Sequence, residues 1–70
     1  MTETLFPLTL DDQIACVERE IELRKRVYPR RVADQKMSPH AARYQIEAME
    51  AVLATLRKIR KMKTEGETHD

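Results

Sequence analysis

One cysteine, one glycine and an aromatic content of 4% leave this 70-residue chain few ordinary routes to a core or a catalytic centre. Cys16 stands alone, so no disulfide can form within a chain, and a lone thiol suits a reducing compartment. The single glycine, Gly66, excludes a Gly-rich loop that cradles phosphates. The two histidines, His40 and His69, are far apart and form no metal-ligand spacing with Cys16. Cys16 lies among the carboxylates Glu18 and Glu20, the opposite of the cationic setting that activates a thiol nucleophile. Ser38 is the only serine, and its place before a proline suits helix capping. Neither an enzyme nor a cofactor is expected.

Other absences narrow the class further. No stretch approaches the roughly 20 apolar residues of a membrane span. The opening MTETLFPLT has no basic leader and no long apolar run, so a secretory signal is not expected and a cytoplasmic location is. There is no internal repeat and no strand-like alternation. The formal net charge is only +1, so global attraction to nucleic acid is weak and any basic effect must be local.

What the chain does contain is helical pattern. Charged residues make up 36% and apolar residues 41%, the mixture of a striped helical surface. Thr9 suits an N-cap, with Asp11 and Asp12 at the positive end of a first helix. Leu10, Ile14, Val17, Ile21 and Tyr28 then mark one helical face, and Cys16, Leu23 and Val27 a second apolar line. Pro29 lacks the N–H donor and disfavours helical geometry at Tyr28, so helix 1 is expected over about 10–28. A turn with a short helical segment follows over 29–38. Ser38-Pro39 restarts a helix, expected over about 39–62.

On helix 2, Ala42, Ile46, Met49, Leu53 and Leu56 form the main stripe, widened by Val52 and Ile59. Ala41, Tyr44, Ala48, Ala51 and Thr55 form a second line of mostly small residues, which lets another helix approach closely. Residues 1–8 read as an N-terminal arm and 64–70 as a disordered tail.

The fold class is therefore all-α, an antiparallel two-helix hairpin over residues 9–63. Two helices meet along one line only, and each carries a second apolar line. A chain this small rarely builds a sufficient core alone. Dimerisation into a four-helix bundle is the economical remedy. Its dimer and core residues are expected to be Ile14, Val17, Ile21, Leu23, Val27, Tyr44, Ile46, Met49, Val52, Leu53, Leu56 and Ile59.

The densest charge lies at the turn. From Arg24 to Arg43 there are seven Lys or Arg residues, and Asp34 is the only acid. Arg24 can reach Glu20, and Glu22 can pair with Arg26, at helical i,i+4 spacing. Lys25, Arg30, Arg31, Lys36 and Arg43 have no evident local partner. The cluster admits a solvated tip, a site for an acidic protein surface, or a phosphate site on nucleic acid or a small ligand. Helix 2 opens with Ala41 and Ala42, which read no base edges, and single-strand binders need several stacking rings. Only Tyr28 and Tyr44 lie near the cations. Arg and Tyr dominate protein interfaces, so among the binding roles a protein partner is favoured. Arg24, Tyr28, Arg30, Arg31, Lys36 and Arg43 are the expected contact residues. The cations from Arg57 to Lys63 match instead the negative end of helix 2 and the nearby Asp11 and Asp12.

The run Arg24-Lys25-Arg26-Val27-Tyr28-Pro29-Arg30, with Val32, Met37, Met49-Glu50-Ala51-Val52 and Thr55-Leu56, resembles small helical proteins of temperate phages and prophages of Proteobacteria. The likeness spans about Asp11 to Leu56. Many such proteins carry glycine where Gln35 stands here, which places a tight left-handed turn at that point in doubt. The resemblance implies a phage-derived adaptor or inhibitor that binds a host protein, such as a transcription regulator, motor or defence component. A DNA- or RNA-binding accessory role through the basic turn end is the alternative.

Overall fold

The computed structural model describes residues 8–67. Two helices, α1 (Leu10–Ala33) and α2 (Pro39–Glu67), run antiparallel and pack against each other. Of the arm expected over residues 1–8 and the tail expected over 64–70, residues 1–7 and 68–70 lie outside the described residues.

Local chemistry sets both starts. The Thr9 hydroxyl accepts from the Asp12 N–H at 3.0 Å, and the Asp12 carboxylate accepts from the Thr9 N–H at 3.1 Å. This reciprocal box satisfies two donors that the first turn would otherwise leave open. In α2 the Ser38 hydroxyl accepts from the Ala41 N–H at 3.0 Å, with Pro39 at the first helical position.

Two boundaries differ from expectation. Helix α1 does not stop at Tyr28 but runs through Pro29 to Ala33. The lost donor leaves only the Lys25 carbonyl unpaired within the helix, and Pro29 itself is exposed. Beyond it, Val32 is half-buried and the helix end is closed by three backbone bonds, which together hold the extra turn. Helix α2 continues to Glu67, so the first part of the expected tail is helical.

The α1 terminus is a Schellman cap. Lys36 N–H donates to the Arg31 carbonyl at 2.9 Å and Gln35 N–H to the Val32 carbonyl at 3.0 Å. Gln35 takes the left-handed position with φ 61°. The turn that glycine would favour forms without glycine.

Ile14, Ile21 and Leu53 form the core, with Val17, Met49 and Leu56 packed against them and Ala42 also buried. Ile46 and Tyr28 are half-buried. Other expected core residues lie outside this seam: Leu23, Val27, Tyr44, Val52 and Ile59 are all exposed in the single chain. Tyr44 is 63% exposed and does not pack at the turn. At about 100° per residue these positions fall well away from the buried line, beyond what one neighbouring helix covers. The body measures 54 × 32 × 13 Å, one helix thick, with a radius of gyration of 16.2 Å against about 11 Å for a compact domain of this length.

Candidate functional site

The hairpin has two broad faces of opposite character. Arg57 Nη2 donates to Glu18 Oε2 at 2.6 Å, Arg60 Nη1 donates to Asp11 Oδ1 at 2.9 Å, and Lys25 Nζ lies 3.3 Å from Glu50 Oε2. On the α1 wheel, Asp11, Glu18 and Lys25 stand roughly 50–90° to one side of the buried line. Cys16, Leu23 and Val27 stand roughly 110–150° to the other side. On α2, Glu50 and Arg57 fall to one side of the core, and Ala48, Val52, Thr55 and Ile59 to the other. Both helices are right-handed and antiparallel, so equal angular senses share a broad face. One face carries the three cross-helix ion pairs, and the opposite face carries Leu23, Val27, Val52 and Ile59 beside the Glu20–Arg24 pair.

The ion pairs also fix the register. Lys25 is level with Glu50 and Glu18 with Arg57, which sets Leu23 level with Val52, Val27 with Ala48, and Cys16 with Ile59. Leu23 is 46% exposed, Val52 45%, Ile59 43% and Val27 38%. The charge near the middle of this face is the Glu20–Arg24 ion pair within α1. Arg24 Nη1 also donates to the Glu20 carbonyl at 3.2 Å. The hydrogen bond to the Glu20 carboxylate holds the Arg24 guanidinium above its ordinary pKa; Tyr28 adds to this and partial burial opposes it. Arg24 Nε is shielded and has no acceptor.

At the turn end the expected contact residues separate. Arg24 is folded back on Glu20, and Lys25, expected to lack a partner, pairs with Glu50. Arg26, expected to pair with Glu22, forms no ion pair among the described residues. Arg30, Arg31, Lys36 and Arg43 likewise form none there. Arg26, Arg30, Arg31 and Lys36 line one shallow cleft with Val27 and Asp34. A second, more apolar cleft lies on the ion-pair face: Tyr28, Pro29, Val32, Pro39, Ala42 and Ile46 form its walls, and Lys25 and Arg43 its rim. Sequence reading missed this cleft because it depends on α1 continuing past Pro29.

Among the described residues no group of three or more His, Cys, Asp or Glu side chains is placed to hold a metal ion. No described helix is long and apolar enough to cross a membrane. No protein-family model, curated protein or solved structure matches the chain.

Proposed function

We propose that the protein is a small binding adaptor that works as a homodimer and captures an acidic protein surface at its basic turn end. The observation that carries this reading is the division of charge. Asp11, Glu18 and Glu50 hold Arg60, Arg57 and Lys25 in ion pairs. Arg26, Arg30, Arg31, Lys36 and Arg43 are left without one among the described residues. Arg43 stands on the rim of the apolar cleft, and the other four line the separate cleft with Val27 and Asp34. An acidic surface that also offers an apolar side chain is therefore the complementary ligand. Tyr28 on the cleft wall supplies an aromatic contact of the kind that anchors interfaces.

Dimerisation follows from the opposite face. Domains are built from at least two packed layers, and this hairpin is one layer. A second copy placed on the Leu23–Val52 face completes a four-helix bundle and leaves both turn ends open. In the reading suggested by its likeness to temperate-phage proteins, the partner is a host protein in the bacterial cytoplasm whose activity the adaptor modulates.

The test is affinity capture from a bacterial host, comparing the wild type with Arg30→Glu, Arg31→Glu. The double variant loses the partner and keeps its helicity. Retention of the same partner contradicts the reading. Recovery of nucleic acid instead, with affinity that falls steeply with salt, points to the accessory role in DNA or RNA binding.

A further inference from the structure

We infer that the two copies pack antiparallel, so that the basic turn ends project from opposite ends of the dimer. The inference rests on the homodimer reading above and adds its direction. A face-to-face pair of hairpins has two symmetric solutions. With the two-fold axis along the helices, α1 lies over the partner's α2 and both turns meet at one end. With the axis across the helices, each helix lies over its own copy and the turns separate.

Size alone permits both. In the first, Leu23 meets Val52 and Val27 meets Ala48 of the other copy. In the second, an axis through the middle of α1 sets Val27 against Cys16, Ile59 against Ala48, Val52 against Thr55, and Leu23 against the Glu20 stem. Leu23, Val27 and Ile59 then each oppose a small or flexible side chain.

Charge decides between them. The parallel solution brings together two tips, each with five cations that have no ion-pair partner among the described residues. Asp34 is the only acid in the segment from Arg24 to Arg43. Like charges so juxtaposed disfavour association. The antiparallel solution removes that conflict. Both solutions set the acidic half of α1 over a basic stretch, Arg57 to Lys63 of the other α2 in the parallel one and the second half of the other α1 in the antiparallel one. The first half of α1 holds Asp11, Asp12, Glu18, Glu20 and Glu22 against Arg19 alone. Its second half holds Arg24, Lys25, Arg26, Arg30 and Arg31 with no acid. Laid antiparallel on its copy, the acidic half of one α1 lies level with the basic half of the other, with Asp11, Glu18 and Lys25 on the outer, ion-pair face. Such a dimer is two-headed: two acidic partners bind at opposite ends without contact.

Double electron–electron resonance on a spin-labelled Lys36→Cys variant, in a Cys16→Ala background of the full chain, reads the direction. Lys36 lies about 14 residues beyond the middle of α1, so the antiparallel dimer gives a label separation of about 40–45 Å at 1.5 Å rise per residue. A separation on the order of 10–20 Å, near the spacing of adjacent helices, overturns the direction while keeping the dimer. Absence of any dipolar interaction overturns the homodimer reading itself. A Leu8→Cys label at the open end repeats the measurement independently of the turn and gives a long separation by the same argument.

Discussion

Lys25 Nζ lies 3.3 Å from Glu50 Oε2, tying the middle of α1 to the middle of α2 across the hairpin. This contact sets the helices level and, with Glu18–Arg57 and Asp11–Arg60, lines one broad face with charge. The other face exposes Leu23, Val27, Val52 and Ile59, with the Glu20–Arg24 pair among them.

These ion pairs direct register more than they stabilise. Their side chains remain about half exposed or more, as in Arg57 at 52% and Glu18 at 47%. Exposed pairs contribute about 0.2–1 kcal/mol and weaken with salt. Arg57→Ala and Arg60→Ala are each expected to lower stability by less than about 1 kcal/mol. Urea denaturation at low and high salt checks this. A loss several times larger would show that the pairs hold the hairpin closed.

Gln35 offers a stabilising change. A non-glycine residue in the left-handed region costs roughly 1–2 kcal/mol, and glycine adopts it without that penalty. Gln35→Gly is expected to stabilise by up to about 1 kcal/mol after glycine's own entropy is counted. Gln35→Val is expected to destabilise, because a β-branched side chain tolerates positive φ poorly. Thermal melting at one fixed protein concentration compares the three chains, and a glycine variant less stable than the parent contradicts the cap geometry.

Pro29 offers a second. Within a helix, proline is about 3 kcal/mol less favourable than alanine. Pro29→Ala restores an N–H that can reach the Lys25 carbonyl and is expected to stabilise by about 1–3 kcal/mol. The same substitution removes one wall of the apolar cleft and should weaken partner capture. Unchanged or reduced stability indicates that α1 bends at this point to its advantage.

Much of the fold could be read along the chain because its signals are local. Thr9 and Ser38 cap the helices, Ile14 and Ile21 face inward from the four-three spacing, and Leu53 meets them from α2. The end of α1 could not be read this way, because Pro29 and Gln35 each oppose the geometry they occupy and are overruled by the packing of Val32 and a cooperative set of cap bonds. Partner choice among charges was also hidden. Arg24–Glu20 follows from spacing within one helix, whereas Lys25–Glu50 depends on the register between two. The turn-end cluster was visible as composition, but its separation into paired and unpaired cations needed the folded hairpin.

Sedimentation equilibrium tests most directly whether this one-layer hairpin completes itself with a second copy. The wild type is expected at twice the 8.2 kDa mass of one chain at micromolar concentration. Leu23→Glu, Val52→Glu, which alters only side chains exposed in the single chain, is expected at 8.2 kDa. A wild type that sediments as a single chain with full helicity and a cooperative melt contradicts the two-copy bundle.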